Sequence, residues 1–292
     1  FGNVTVSTPL IGFCGQRGIS LIFLSEYGKF YGRIQGPVQG NILLRRRQFV
    51  ALDDLVLSKR LVRSILLGKL VNSREFLMRV RRERKEKEEI FSDSIQKVAR
   101  IAEELRESPS IDSMRGLEGA AAAAYYAAFS AMLVGEEMRF EGRNRRPPED
   151  PVNALLSFLY TLLKNDVQSA LEGVGLDPAA GFLHTLRPGR PALALDLMEE
   201  LRVPLCDRLV VALINRGQIT LKHFEQLTPP VLLGENGRKI VLKAWQERKK
   251  EQIQHPFLQE KISIGLIPHV QAMLFARVLR DELDDYPPFH WR

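Results

Sequence analysis

Two acidic side chains, Asp196 and Glu199, are the first candidates for chemistry in this sequence. On a helix, residues three apart share one face, whereas Leu193, Leu197 and Leu201 turn toward the opposite, apolar side. Two carboxylates on one face repel each other unless a cation or a proton lies between them. The pair is therefore typical of a cation site, and a solvent-exposed acidic face explains the same pattern equally well.

A third carboxylate, Glu118, stands near the start of an alanine-rich stretch, GLEGAAAAAYY. Small residues on its stripe allow a neighbouring helix to approach closely, so we expect Glu118 to be partly buried. A buried carboxylate needs a metal ion, a cationic side chain or a proton as its partner. The alternative is a glutamate that only stabilises the positive end of its own helix dipole.

One histidine, His184, lies between an apolar patch and a basic turn in the sequence GFLHTLRPGR. A lone histidine is more often a hydrogen-bonded structural residue than a ligand. Arg187 and Arg190 in the same turn favour a phosphate site, because guanidinium groups bind phosphate oxygens in a bidentate manner.

Taken together, these residues predict more than each does alone. Three carboxylates and one imidazole make a mixed oxygen and nitrogen set that suits Mn²⁺ or Mg²⁺. With such an ion, phosphodiester cleavage or transfer is the chemistry to expect, because the metal neutralises phosphate charge and polarises an attacking oxygen. Motifs of competing classes are missing from the sequence, which has no P-loop, HExxH, CxxC or GxSxG. The predicted catalytic set is Glu118, His184, Asp196 and Glu199.

The net charge of +7 is concentrated in residues 40–110. An excess of base there favours a polyanionic partner such as DNA. The unbroken triplet Arg45, Arg46 and Arg47 fits a DNA contact and a solvated helix face equally well. In residues 81–89 acids alternate with bases, which is typical of a solvated face.

A polar, proline-containing loop at residues 139–150 includes Arg143, Arg145 and Arg146. The stretch has no apolar periodicity, so we expect it to be mobile until DNA binds.

The elements that position these residues change character near residue 40. Before it, residues 4–7, 19–24 and 30–34 are predicted strands, with a turn at 27–29 and a short helix at 9–17. From residue 41 onward the apolar residues follow the helical period. The predicted fold class is therefore α+β. Residues 1–40 form the remainder of a small β-rich N-terminal domain with its linker, and residues 41–292 form a larger all-α catalytic domain.

The best-marked helix in the second part starts at Pro151, with Asp150 as its cap and Gly173 and Gly175 at its end. Further helices are expected at residues 91–105, 191–201, 221–249 and 268–283. The uncharged stretch 119–135 is short and rich in alanine for a membrane span, so it is predicted to be a buried helix.

The two cysteines, Cys14 and Cys206, both lie in apolar surroundings. Two such residues indicate buried free thiols in a reducing cytoplasm rather than a disulfide framework. No secretory signal is visible.

The ordered combination of motifs resembles a known family. GLEGAAAAAYY, followed by LHTLRPGRPALALDLMEELR, is similar to the CRISPR-associated adaptation integrases, the Cas1 family, in their subtype I-C branch. GISLIFLSEYGKFYGRIQGPVQGNILLRRRQF resembles the end of the family's β-domain and its linker. HPFLQEKISIGLIPHVQAMLFARVLRDELDDYPPFHWR resembles its C-terminal helix and tail, so the resemblance covers nearly the whole chain.

The resemblance implies a role for each matching residue. Glu118, His184 and Glu199 match the family's metal ligands, and Asp196 matches an acidic residue that supports the site. The last ligand is often aspartate in the family, whereas this sequence has Glu199. The family's β-domain has further strands before the first residue here, which implies an N-terminal domain truncated at its start. The residues expected to contact DNA are Arg45, Arg46, Arg47, Arg143, Arg187, Arg190 and Arg202.

The implied activity is that of a metal-dependent DNA endonuclease and integrase. Such an enzyme inserts captured foreign DNA into a CRISPR array when each 3′ hydroxyl of that DNA attacks a phosphodiester. The implied partners are double-stranded and branched DNA, a second copy in a homodimer, the small adaptation protein Cas2 and a Cas4 nuclease, with no membrane. Two alternatives stay open at this stage: a non-catalytic DNA-binding scaffold and a general repair nuclease for branched DNA.

Overall fold

The computed structural model describes residues 2–19, 21–25, 30–34, 36, 41–135, 137–144 and 147–291. The N-terminal part has helix α1 (Thr8–Gln16) and an antiparallel hairpin of β1 (Leu21–Leu24) and β2 (Phe30–Ile34). The helix and both strands of the hairpin were predicted. The turn expected at residues 27–29 lies outside the described residues. The strand expected at residues 4–7 is wrong, because this stretch has no strand partner in the described part of the chain.

The larger part of the molecule is helical. Its helices are α2 (Ile42–Asp53), α3 (Leu55–Glu83), α4 (Glu88–Arg106), α5 (Ile111–Ala127), α6 (Pro151–Val174), α7 (Ala192–Leu201), α8 (Arg208–Asn215), α9 (Glu235–Lys250) and α10 (Ile267–Leu279). The predicted fold class, a small β-containing N-terminal region followed by a larger helical domain, is confirmed.

Helix α3 is the central element of the helical part. It starts where the Asp54 side chain accepts hydrogen bonds from the amides of Val56 and Leu57, which satisfies two donors that the first turn leaves free. Over 29 residues it packs against α4, α5 and α7. Its buried face is apolar with a few exceptions, and one of them is the charged residue Lys69.

Helix α6 begins and ends as the sequence predicts. The Asp150 carboxylate accepts from the Asn153 amide at 2.7 Å, Pro151 occupies the first turn, and Gly175 ends the helix with φ of 95°. This conformation favours glycine because it has no Cβ. The helix packs against α7 and α10 and supports the centre of the domain.

Helix α7 continues into a six-residue π-helical segment, Arg202–Asp207, and then into α8. Pro204 within the segment has no amide hydrogen, so it cannot donate to the regular helical ladder. The widened turn places Arg202 and Asp207 in the interior, where both are buried.

The region after α8 differs from the sequence prediction. The helix expected at residues 221–249 is wrong in its first half, where β3 (Phe224–Gln226) and β4 (Leu232–Leu233) form a hairpin before α9. A second hairpin pairs β5 (Gln252–Gln254) with β6 (Lys261–Ser263). Short strands with few alternating residues give little periodic signal. The domain boundary at residue 40 stays a prediction.

Both cysteines are buried and free, as expected. Among the described residues, the structure contains no helix long and apolar enough to span a bilayer. The alanine-rich stretch belongs to α5 and to a short 3₁₀ turn after it, and only part of it is buried.

Candidate metal centre

The carboxylate of Asp196 organises the loop that carries His184. It is fully buried and accepts hydrogen bonds from the backbone amides of Phe182, Leu183 and His184 at 2.6, 2.9 and 3.0 Å. The same carboxylate lies 2.7 Å from His184 Nδ1. An ionised carboxylate only accepts hydrogen bonds, so this contact favours the neutral tautomer of His184 that carries its proton on Nδ1 and has a lone pair on Nε2. Asp196 therefore fixes the orientation of the imidazole.

Two further contacts hold this loop against its neighbours. The Arg115 side chain of α5 donates to the carbonyl of Leu183 at 2.6 Å. At Gly181 the backbone approaches the start of α7 so closely that an added Cβ would lie 2.5 Å from backbone atoms of Ala192 and Leu193. The loop is thus tied to both helices that carry the acidic residues, and a side chain at residue 181 would push it away from α7.

Glu199 lies one turn after Asp196 on α7 and is almost fully buried. Its Oε2 accepts from Lys69 Nζ at 2.7 Å, and its Oε1 lies 2.9 Å from Arg202 Nη2 and 4.0 Å from His184 Nε2. Burial raises the pKa of Glu199, but the positive charges of Arg202 and Lys69 outweigh burial, and the pKa is lowered to about 2. The residue is therefore an anion across the working pH range.

Lys69 joins the two outer acidic residues of the centre. Its ammonium group contacts Glu118 Oε1 as well as Glu199 Oε2, although these residues belong to α5 and α7. Only 8% of Lys69 is exposed, so the charge is compensated by the two carboxylates rather than by water. The sequence reasoning missed this residue. Its one signal was a positive charge on the apolar side of α3, next to buried Leu66 and Leu70.

A layer of tyrosines lies behind Arg202. Its guanidinium stacks over the ring of Tyr160, with 5.0 Å to the ring centroid. The hydroxyls of Tyr160 and Tyr125 donate to the buried Asp207 at 2.6 and 3.0 Å, and Tyr126 hydrogen-bonds Tyr160 at 2.8 Å. Burial raises the pKa of Asp207 to about 6, even though the two tyrosine hydrogen bonds oppose the shift. The layer fixes the direction from which Arg202 reaches Glu199.

The predicted donor residues fit a divalent cation in type. Glu118 and Glu199 offer oxygens and His184 offers the free Nε2, a set that suits Mg²⁺ or Mn²⁺. In the described part of the chain, however, no group of three or more acidic, histidine or cysteine side chains is already closed around a point that would hold a metal. The ammonium of Lys69 lies between the two carboxylates instead.

The arginines expected to contact DNA are spread over several environments. Arg46 and Arg187 are exposed, Arg45 is half-buried, and Arg47 pairs with Asp281 at 3.0 Å on the surface. Arg190 donates to the carbonyl of Thr185.

Two other arginines of this group point inward. Arg202 is buried against Glu199. Arg143 donates to Asn153 Oδ1 at 2.6 Å and to Ser157 Oγ at 3.2 Å, so part of the loop at 139–150 packs on α6. Arg145 and Arg146 lie outside the described residues. The DNA contacts of all these arginines stay predictions.

Comparison with known proteins gives this centre its context. A family model described as CRISPR associated protein Cas1 matches residues 1–247. The CRISPR-associated endonuclease Cas1 1 of Chlorobaculum tepidum is 48% identical over 297 aligned positions, which cover 100% of this chain and 87% of that protein. The chain therefore belongs to the Cas1 family of CRISPR-associated endonucleases.

Solved structures agree on the fold. A casposase bound to its integration product superposes with a TM-score of 0.84 at 22% identity, covering 99% of this chain and 79% of that one. A Cas1 protein from Thermotoga maritima gives a TM-score of 0.80 at 24% identity, covering 96% and 85%. At these identities the likeness concerns the fold alone.

The names of two further similar proteins include another Cas protein. A Cas4 exonuclease/Cas1 endonuclease fusion of Geobacter sulfurreducens is 36% identical and covers 99% of this chain and 53% of the fusion. A chain of a Cas6-RT-Cas1–Cas2 complex gives a TM-score of 0.78 at 24% identity, covering 98% of this chain and 31% of that one.

Proposed function

We propose that this chain is a metal-dependent DNA endonuclease and integrase that inserts captured foreign DNA into a CRISPR array. In this reaction each 3′ hydroxyl of the captured DNA attacks a phosphodiester of the array. One observation carries the proposal: Glu118 and Glu199 meet at the ammonium of Lys69, and Nε2 of His184 lies 4.0 Å from Oε1 of Glu199. This convergence occurs in a chain similar over its whole length to a Cas1 endonuclease.

Glu118, His184 and Glu199 would hold the metal, Mg²⁺ or Mn²⁺. When bound, the ion would neutralise charge on the scissile phosphate and polarise the attacking oxygen. Asp196 keeps the proton of His184 on Nδ1, so Nε2 is available as a ligand. Arg202 holds the carboxylate of Glu199 from the other side, which limits the directions in which that carboxylate can turn.

In this proposal Lys69 compensates the two carboxylates while no metal is bound. The ammonium and a divalent cation need the same oxygens of Glu118 and Glu199, so they compete. A lysine has a long flexible stem, and its charge is a compact point that can move a few ångströms without rebuilding the fold. Lys69 would therefore keep the site folded and also set a threshold for metal binding.

The substrates proposed are double-stranded and branched DNA. The exposed Arg46 and Arg187 are the members of the predicted DNA-contacting group whose charges are most open to a phosphate. Arg45, Arg47, Arg143 and Arg190 stay candidates for the same role. Phosphate contacts of this kind position DNA without reading its sequence.

The partners proposed follow from the similar proteins. One of them is a Cas4/Cas1 fusion and another is part of a complex with Cas2. We propose that this chain acts with Cas2 and a Cas4 nuclease in the cytoplasm, as a homodimer of subtype I-C type. We also propose that residues 1–40 belong to a β-rich N-terminal domain and residues 41–292 to the catalytic domain.

An integration assay tests this function. The chain, with and without Cas2, is incubated with a labelled DNA duplex bearing 3′ hydroxyls and a plasmid carrying a CRISPR array, in Mn²⁺ or in EDTA. Label should join the plasmid at the array only when Mn²⁺ is present. Glu118→Gln should reduce joining to the EDTA level. Glu103→Gln, an exposed glutamate of α4 that pairs with Arg106, is the matched control and should join normally.

Two results would contradict the proposal. Metal-dependent cutting of branched DNA without joining at the array would identify a repair nuclease instead. DNA binding with no strand cutting or joining in either buffer would identify a non-catalytic scaffold.

A further inference from the structure

A basic cleft opens between the end of α3, the start of α8 and the end of α9. Its volume is about 470 Å³. The five arginines that line it are Arg79, Arg84, Arg208, Arg216 and Arg248. None of its lining residues belongs to the candidate metal centre, since Lys69, Glu118, His184 and Glu199 are not among them. The cleft is therefore a separate feature of the helical domain.

The acidic residues of the cleft do not balance its arginines. Glu83 pairs with Arg79 at 3.0 Å, and Glu251 pairs with Arg248 at 2.7 Å. The third acid, Glu247, faces Lys243 at 3.9 Å on the outer side of α9. Each carboxylate thus has a basic partner on its own helix or just beyond its end, and the other three arginines of the cleft are Arg84, Arg208 and Arg216.

Arg84 pairs with Glu86 at 3.6 Å, so two arginines of the cleft lack a carboxylate partner. In the described part of the chain no carboxylate lies within 4.0 Å of the Arg208 or Arg216 guanidinium groups. Arg216 is exposed, whereas Arg208 is half-buried, so its charge is only partly solvated and an anion in the cleft would compensate it.

Arg208 shows how the cleft is prepared for such an anion. Its guanidinium stacks over the rings of Trp291 and Phe76, with 4.6 and 5.7 Å to the centroids. Stacking uses the faces of the planar group and leaves its N–H edges available as donors. Burial, together with the charges of Arg79 and Arg248, lowers the pKa of Arg208 to about 10. An anion bound in the cleft would raise the pKa of Arg208 again.

We propose that this cleft is a phosphate-binding site, and that its ligand is a phosphate of a DNA strand at a distance from the metal centre. A carboxylate has two oxygens and one charge, and each carboxylate at this cleft is already satisfied by one basic side chain. A phosphate offers more acceptor oxygens and can receive several guanidinium forks together. A cleft with five arginines, of which Arg208 and Arg216 have no carboxylate partner, therefore suits phosphate better than an acidic side chain.

The position of the cleft connects it to the metal centre through one short segment. The π-helical turn Arg202–Asp207 begins at the residue that pairs with Glu199 and ends just before Arg208. A DNA strand bound in the cleft would contact one end of this turn, and the other end of the turn contacts Glu199, a predicted metal ligand.

Binding is measured in EDTA, so that the metal centre takes no part. Fluorescence anisotropy follows a labelled 12-nucleotide single strand over a range of salt concentrations, and thermal shift follows inorganic pyrophosphate. The variants are Arg208→Gln and Arg216→Gln. Arg100→Gln is the control, because this exposed arginine on α4 pairs with Glu104. An oligoglutamate peptide of matched charge is the competing anion.

We expect the strand to bind at least fivefold more weakly to Arg208→Gln and Arg216→Gln at low salt. The slope of log Kd against log salt should fall by roughly 0.7 for every phosphate of the single strand that a variant no longer binds. Pyrophosphate should stabilise the wild type and the control but not these variants. If pyrophosphate binding depends on the arginines while strand binding does not, the phosphate site stands and its ligand is a small phosphate compound.

Two outcomes overturn the proposal. In the first, both variants bind the strand and pyrophosphate as the wild type does. In the second, oligoglutamate binds as tightly as the strand and with the same dependence on Arg216, which would identify a site for an acidic protein. If Arg208→Gln fails to fold, Arg216→Gln still decides the question, because Arg216 is exposed on the surface.

Discussion

The ammonium of Lys69 lies 2.7 Å from Oε2 of Glu199, at a place where a divalent cation would need the same oxygen. The two residues are 130 positions apart in the sequence and meet because α3 packs against α7. Glu118 completes the arrangement from α5. One buried lysine thus contacts carboxylates from two different helices.

Replacing Lys69 with methionine should destabilise the metal-free protein and increase the gain in unfolding free energy that Mn²⁺ gives. Breaking a buried ion pair by removing one partner costs about 3–5 kcal/mol, because a carboxylate is left uncompensated. Mn²⁺ should recover much of this loss, since a ligand at 100 times its Kd contributes about 2.7 kcal/mol. Urea unfolding with and without Mn²⁺ measures both effects. Lys97→Met, an exposed lysine paired with Asp93, is the control. If Mn²⁺ stabilises Lys69→Met less than it stabilises the wild type, Lys69 does not compete with the metal.

Glu199 and Asp196 should differ in what they do for the metal. Glu199→Ala removes a proposed direct ligand, so calorimetric titration should detect no Mn²⁺ binding at this centre. Asp196→Ala removes the group that orients His184, and loss of such a partner weakens affinity by about 10–100-fold without abolishing it. Both proteins need circular dichroism to confirm folding, since Asp196 also satisfies three buried amides. The assignment is reversed if Asp196→Ala loses the metal and Glu199→Ala retains it.

The buried Asp207 should make stability depend on pH in a defined window. Burial raises its pKa in the folded protein to about 6 from 3.8. Between these two values the folded state holds a proton that the unfolded state releases, so this residue's contribution to stability is complete below pH 4 and is lost as the pH rises to 6. The loss amounts to about 3 kcal/mol at 1.36 kcal/mol for each pH unit. Asp207→Asn should remove it.

Urea unfolding of the wild type and Asp207→Asn between pH 4 and pH 7 checks this expectation. The difference in unfolding free energy between the two proteins should change across the window and be constant above it. Asp93→Asn, an exposed aspartate of α4, should give no comparable change. A difference that is flat from pH 4 to pH 7 would show that Asp207 ionises normally.

The arginine triplet should bind DNA through phosphates. Changing Arg45, Arg46 and Arg47 together to alanine should weaken binding about equally for all duplex sequences and flatten the salt dependence by roughly 0.9 for every phosphate that is no longer bound. Anisotropy with two unrelated duplexes provides the measurement. The control is the triple alanine variant of three exposed basic residues on α4, each paired with an acid of the same helix: Lys97, Arg100 and Arg106. An unchanged slope of the salt dependence would show that the three arginines make no phosphate contacts.

The sequence by itself determined the elements whose signals are local. Asp150 and Pro151 mark the start of α6 because a capping carboxylate and a fixed φ act within one turn. The spacing of Asp196 and Glu199 placed both on one side of α7, and the ordered motifs led to the family. The hairpins before and after α9 were missed, because two or three residues carry too little periodicity to distinguish a strand.

Only the tertiary structure decided how the acidic residues are used. Helical spacing could not distinguish the roles of Asp196 and Glu199. In the structure Asp196 hydrogen-bonds backbone amides and His184, whereas Glu199 pairs with Lys69 and Arg202. Nor could helical spacing show that Arg143 turns toward α6, or that Lys69 reaches residues 49 and 130 positions away. The physical reason is that local sequence fixes which face a side chain occupies, whereas the packing of distant helices fixes which charges meet in the low-dielectric interior and must compensate one another.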